Sequence, residues 1–523
     1  MPEAEATASR PNAIGHSVFV LLGTLVLIRI AAMFVVPLMD TTEARYGEIA
    51  RKMAELNDWV TLWFDYGVPY WGKPPLSFWL TAGSLNLFGV SEFAARLPHF
   101  LMSLAVIGLA AWMASRREPQ SIWPTIIFLA AAPVFFVTSG LVMMDIELTF
   151  GVTLSMAGFW IALEAPEASH TGRRTAWLPN LLFFIGLAVG LLSKGPVALV
   201  LIAMPLFFWT ALHSRWRDVW RRLYWIPGML LTALIALPWY IAAEQSTPGF
   251  LRYFLIGEHF LRFIEPGWAG DQFGNAHTAP IGAIWVHALG GLLPWSILIP
   301  IAIWRWREPG TGLTATFLPN IRAASSGENQ WRSYLLFWAV APLLLFTLAR
   351  NVGWSYVLPG IPALAIWAGQ WLTAEARKGH NTNRVLGAGM LITLAILLGA
   401  AAVWSQPETA QRKSVKALLA AYETSRSAQA PSSAADQSLH KPEKTAAPLI
   451  FVRRRPFSAE FYTRGKALLA DDSAEAWSRI GANAAYVAVI DTEIFLGAAE
   501  AGKRSIRRLG RYGRFDLLFV EPL

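Results

Sequence analysis

No cysteine occurs anywhere in the 523 residues, which excludes disulfides and thiolate metal sites. Charge is scarce too: Asp, Glu, Lys and Arg make up 15% of the chain, against about 25% in ordinary soluble domains. With 54% hydrophobic residues, a soluble globular protein is excluded and a polytopic membrane protein is implied. The opening MPEAEATASRPNAIGHS lacks the basic region and small-residue cleavage site of a removable signal, so the first span reads as retained. No internal repeat is evident, which weakens a transporter built on inverted repeats.

What is present fits a membrane. The 30 Phe and 25 Trp suit broad interfacial surface, where amphipathic rings sit at headgroup level. The net charge of +9 is assigned to cytoplasmic loops, and no nucleic-acid partner is expected. About 20 apolar residues cross a bilayer. That criterion places spans near 17–38, 96–114, 121–138, 144–163, 179–193, 196–213, 224–243, 282–304, 333–349, 355–374 and 385–404.

Orientation follows from Lys and Arg in the short loops. With a cytoplasmic tail over 1–16, the inward loops hold Arg116 and Arg117, Arg173 and Arg174, and Arg215, Arg217, Arg221 and Arg222. Further inward loops hold Arg305, Arg307, Arg322 and Arg332, then Arg377, Lys378 and Arg384. The outward segments include loops 39–95 and 244–281 and the tail from 405. Within that tail, 405–448 reads as a linker and 449–523 as a small α/β domain, with strands at PLIFVRRR, AAYVAVID and RFDLLFVEPL and a helix at SAEAWSRIG.

Ionisable groups at membrane depth are costly and usually face a cavity or a partner. Here they gather on the outward side. Asp40, ahead of Thr41 and Thr42, suits the N-cap of a helix over 41–55, and on a helix Asp40 and Glu43 share a face. Two such carboxylates can position a hydroxyl and take its proton. Lys73 precedes Pro74-Pro75 on a stiff segment and suits a phosphate contact. Asp145 opens an apolar helix with Glu147 two residues on, and Lys194 interrupts an apolar hairpin at SKGP. In GEHFLRF, helical spacing puts Glu258, His259 and Arg262 on one face. Glu258 and His259 are also candidate metal ligands, a weak signal without a third. Capping, interfacial snorkelling and tight-turn roles are the bland alternatives for these residues.

Taken in order, these segments resemble the polyprenyl-phosphate-dependent membrane glycosyltransferases of the GT-C superfamily. The likeness is to the lipid A aminoarabinose transferase group and its relatives, the protein O-mannosyltransferases. It is carried by Glu43, Arg45-Tyr46, Arg51-Lys52-Met53 and Asp58-Trp59; by Lys73-Pro74-Pro75-Leu76 with Trp79; by Ser193-Lys194-Gly195-Pro196; by Glu258-His259 with Arg262-Phe263; and by Tyr356 to Leu364. The resemblance implies a mostly α fold with about 11–13 transmembrane helices over 17–404 and a small α/β C-terminal periplasmic domain. It also implies a monomer in the bacterial inner membrane, among membrane lipids, with its active site facing the periplasm.

The implied reaction moves a sugar, with inversion, from a polyprenyl monophosphate to lipid A, lipopolysaccharide or another envelope glycan. A protein O-mannosyltransferase, a lipid-linked-substrate transporter and a non-catalytic relative are the alternatives. The implied catalytic carboxylates are Asp40, Glu43 and Asp145, with Asp40 favoured over Glu43. Lys73, Arg262, Lys194 and Arg350 would bind the donor phosphate, and Arg45, Tyr46, Tyr70, Glu258, His259 and Tyr356 would position substrates. The sequence departs from the group at Gly72, where those enzymes carry a metal-binding Glu, and this puts a divalent metal in doubt.

Overall fold

The computed structural model describes residues 14–164, 177–265, 268–274, 279–307, 327–429, 447–497 and 504–523. Most of the 1–16 tail, Arg173, Arg174, Arg322 and much of the expected linker lie outside these ranges. The chain divides into two units: Met1–Met33 with Leu56–Leu397, and Phe34–Glu55 with Leu398–Leu523.

The first unit is helical. Among the described residues seven helices are long and apolar enough to cross a membrane, or eight if the bent pair Ala283–Gly291 and Trp295–Trp306 forms one span. The chain is a multi-pass membrane protein. All eleven apolar segments are helical in whole or part, yet several fall short of a single long span. Segment 121–138 breaks into Ile122–Ala130 and Pro133–Thr138, because Pro133 has no amide hydrogen to continue the ladder. The pair at 283–306 bends by 77° at a break that ends in Pro294.

One helix pair matters for the site. Asp145–Glu164 packs against Trp177–Lys194 through glycines on both sides, including Gly186-x-x-x-Gly190. A Cβ on Gly151 would stand 2.8 Å from the Gly186 carbonyl, and one on Gly158 2.5 Å from the Phe183 nitrogen. Backbones in such contact leave no room for side chains.

The second unit is built on five strands, β1 Leu449–Val452, β2 Leu468–Ala470, β3 Ala485–Val489, β4 Ile506–Tyr512 and β5 Phe515–Val520. They form one sheet ordered β2-β1-β3-β5-β4. The three inner strands are buried at every position, which explains their unbroken apolar runs. One face packs on Ala476, Trp477 and Ile480 of the helix Ser473–Ile480. The other packs on Val415, Leu418, Leu419 and Tyr422. Here the expected boundaries change: helices Pro407–Lys413 and Lys416–Gln429 occupy much of the 405–448 stretch read as linker. Without the second helix, Phe451, Tyr486 and Phe519 would lose their cover. The first-loop helix Glu43–Leu56 also falls largely within this unit.

Candidate functional site

Because Asp145 begins one helix of the glycine-packed pair and Lys194 ends the other, tight antiparallel packing brings the two together. Lys194 Nζ lies 2.6 Å from Asp145 Oδ1, and 4.0 Å from the centre of the Tyr356 ring. Tyr356 sits in the 3₁₀ segment Trp354–Gly360.

A second charged cluster forms around Glu258. Lys73, on the stiff segment before Pro74-Pro75, places Nζ 2.9 Å from Glu258 Oε2. Arg262 reaches the same oxygen at 2.9 Å and Asp271 at 3.3 Å. Glu258 and His259 belong to a π-helix, Tyr253–Leu261, rather than an α-helix. Such turns are often found at functional sites. The wider turn keeps the Glu258–Arg262 pair but sends His259 elsewhere. Its Nδ1 lies 2.7 Å from the Phe254 carbonyl oxygen and its Nε2 3.0 Å from that of Lys194.

These residues line one cavity of about 320 Å³ in the first unit: Lys73, Asp145, Lys194, Glu258, His259, Arg262 and Tyr356. The rest of its wall is mainly apolar, from Leu148, Val197, Val200, Leu201, Phe263, Leu345, Phe346 and Pro359. Three cations beside an apolar wall suit a ligand with an anionic head and a hydrocarbon body. Burial alone would raise the Glu258 carboxyl, but Lys73 and Arg262 outweigh it and hold it below the usual carboxylate value. Burial likewise opposes the Arg262 charge, which Glu258 and Asp271 restore. For His259 burial wins, and the imidazole is held below its ordinary value.

The residues present do not fit a metal. Both His259 nitrogens face backbone carbonyls, and the Glu258 carboxylate is occupied by two cations. A Cβ on Gly72 would stand 2.8 Å from the Tyr70 hydroxyl oxygen, so a longer side chain there would displace that ring. Among the described residues no group of three His, Cys, Asp or Glu side chains can hold an ion.

Other expected site residues lie elsewhere. Tyr70 is buried among Phe64, Phe78 and Phe273 and does not line the cavity. Arg350 is exposed, and its neighbour Asn351 lines the wall instead. Asp40, Glu43, Arg45 and Tyr46 belong to the second unit. The expected cap is corrected here: Asp40 does not cap the first-loop helix. Its oxygens accept from the Ser458 amide at 3.0 Å and the Ser458 hydroxyl at 2.5 Å, at the start of the helix Phe457–Thr463. Burial raises its carboxyl despite these bonds. Glu43 is also buried and accepts from the Met39 amide at 3.3 Å. Arg45 lies over the Tyr46 ring, 5.0 Å from its centre.

Asp271 and Asn351 had no motif to mark them in the sequence. Gly195 had a cue in SKGP, and its φ of +71° suits glycine. A Cβ there would come within 2.6 Å of the Phe254 ring and 3.3 Å of His259. Gly195→Ala is therefore expected to cost about 1–3 kcal/mol, seen as a lower thermal midpoint in detergent.

A family model described as dolichyl-phosphate-mannose-protein mannosyltransferase matches residues 18–254. The undecaprenyl phosphate-alpha-4-amino-4-deoxy-L-arabinose arabinosyl transferase of Edwardsiella ictaluri is 32% identical over 375 residues, covering 70% of this chain and 61% of that protein. Its counterpart from Pseudomonas aeruginosa strain UCBPP-PA14 is 29% identical over 397 residues, covering 73% and 65%. The chain thus spans less than two thirds of the length of these curated relatives. Among solved structures, ArnT from Cupriavidus metallidurans bound to undecaprenyl phosphate superposes with a TM-score of 0.70 at 20% identity, covering 96% of this chain and 97% of that one. The chain thus has the fold of ArnT and is similar in sequence to these transferases over about 70% of its length.

Proposed function

We propose that this protein is an inverting glycosyltransferase of the bacterial inner membrane. It moves a sugar from a polyprenyl monophosphate of undecaprenyl type to lipid A, lipopolysaccharide or another envelope glycan at the periplasmic face. The observation that carries this reading is the cavity itself, where Lys73 and Arg262 converge on Glu258 beside an apolar wall. The names of the relatives from Edwardsiella and Pseudomonas support the same class of donor.

In this reading Lys73 and Arg262 hold the donor phosphate, with Lys194 as a further cation. An acceptor oxygen attacks the anomeric carbon as the carbon–oxygen bond to phosphate breaks. The electron pair leaves on polyprenyl phosphate, whose growing charge the cations stabilise. A hydroxyl acceptor gives its proton to a carboxylate, and the motif resemblance assigns that role to Asp40 or Glu43. Asp145 orients Lys194 by their ion pair.

The test is transfer from defined polyprenyl-phosphate sugars to lipid A by purified protein in lipid nanodiscs, with Asp40→Asn, Glu43→Gln and Lys73→Ala alongside. Lys73→Ala is expected to lose donor binding, and one of the two carboxylate variants to lose turnover. Wild-type activity in all three would sink the assignment. Mass spectrometry of envelope glycolipids from a deletion strain identifies the sugar and the acceptor.

A further inference from the structure

Among the described residues of the first unit, a fully buried ionisable cluster takes no part in the proposed reaction. His99 Nδ1 lies 2.5 Å from Glu147 Oε1, and His99 Nε2 lies 3.0 Å from Thr81 Oγ1. All three residues are fully buried. Each comes from a different helix: Thr81 from Leu76–Phe88, His99 from Glu92–Ser115 and Glu147 from Asp145–Glu164.

Two of those helices begin beside the cavity. Leu76–Phe88 follows directly on Lys73-Pro74-Pro75, and Asp145–Glu164 opens on the residue that holds Lys194. His99 therefore ties the helix behind Lys73 to the helix that carries Asp145, with one ring nitrogen for each neighbour. We propose that Thr81, His99 and Glu147 form a positioning bridge that sets the spacing between Lys73 and the Asp145–Lys194 pair. The proposal rests on the transferase reading above.

Ionisable side chains buried within membrane-spanning helices are costly, and an apolar trio would fill the same space without that cost. Apolar packing alone leaves neighbouring helices free to slide by fractions of an ångström. A close approach of Nδ1 to the Glu147 carboxylate and a hydrogen bond at Nε2 restrict that freedom. The Thr81 hydroxyl donates or accepts, so its own contact holds with either His99 tautomer, whereas the approach to Glu147 needs the proton on Nδ1. None of the three lines the cavity, so they act on the donor only through Lys73, Asp145 and Lys194.

The test uses the full-length protein in nanodiscs, undecaprenyl monophosphate as the binding probe, and donor-saturated turnover. His99→Leu is expected to weaken probe binding and lower kcat, each by about 10- to 100-fold, as for a sub-ångström to ångström misplacement of catalytic groups. His99→Gln, which keeps one donor and one acceptor, is expected to recover most of both. Thr81→Val removes a single contact and serves if His99→Leu does not fold; it is expected to shift both quantities in the same direction. A folded His99→Leu, or Thr81→Val, with a lower thermal midpoint but wild-type binding and kcat overturns the proposal and leaves the trio a stability element. Wild-type protein that neither binds the probe nor transfers sugar fails the transferase reading, and the bridge falls with it.

Discussion

Replacing Arg262 by alanine is expected to lower kcat/KM for a polyprenyl-phosphate sugar by about 100- to 1,000-fold, the loss typical of one preorganised group facing developing charge. Arg262 is held on two sides, by Glu258 at 2.9 Å and Asp271 at 3.3 Å, so its guanidinium is aimed before any donor arrives. Arg262→Lys keeps the charge but loses the planar fork, and should recover only part of the activity. Single-turnover kinetics at saturating donor separates binding from displacement. An Arg262→Ala protein that turns over at the wild-type rate would remove the cation cluster from the reaction.

The same cluster makes a pH prediction. The Glu258 carboxyl is held below its usual value of 4.5 in the folded protein. A carboxyl depressed in this way stabilises the fold fully above the unfolded value, and that contribution is lost as pH falls through the folded value. Acid, not alkali, should therefore loosen the Lys73–Glu258–Arg262 cluster. Thermal midpoints across an acid series check this, with Glu258→Gln expected to flatten the acid-side decline.

The second large effect is expected in the other unit. Glu460→Ala should destabilise the fold there by about 3–5 kcal/mol, because it takes from a buried cation its nearest carboxylate. Lys52 is fully buried and lies 2.7 Å from Glu460, with Glu48 farther off at 3.7 Å. Arg455 pairs with the opposite Glu460 oxygen at 3.1 Å. Removing that carboxylate therefore deprives two cations at once. Removing Lys52 and Glu460 together, as Lys52→Met with Glu460→Leu, should cost less, since the buried lysine charge goes with its carboxylate while Arg455 still loses its contact. Limited proteolysis of the 34–55 loop and the C-terminal domain reads out both results. Equal losses in the single and double variants would show that the loss does not come from the stranded lysine charge.

The Lys52–Glu460 contact marks where sequence reasoning stops. Arg51-Lys52-Met53 could be matched to a motif, but a partner 408 residues away has no local signature. Asp40 is similar. Its place ahead of two threonines suits an N-cap, and the residue it serves, Ser458, is remote in the chain. The π-helical turn at Tyr253–Leu261 was hidden for a different reason. A spacing of four between Glu258 and Arg262 fits an α-helix or a π-helix, and only the fold decides which way His259 turns.

The sequence by itself determined what depends on local composition and periodicity. Apolar runs of about 20 residues specify spans, because hydrocarbon cannot satisfy a bare backbone. Small residues at Gly151, Gly158, Gly186 and Gly190 permit two helices to touch. Lys73 before two prolines, and Lys194 before Gly195, are held in place by their own neighbours. The tertiary structure alone decided which of these groups meet. It joined Lys73 to Glu258 and Lys194 to Asp145, grouped the first-loop helix with the C-terminal sheet, and put His99 between Thr81 and Glu147. The reason is physical: a buried charge must find an opposite charge or a hydrogen bond, and the partner it finds is fixed by helix packing across hundreds of residues.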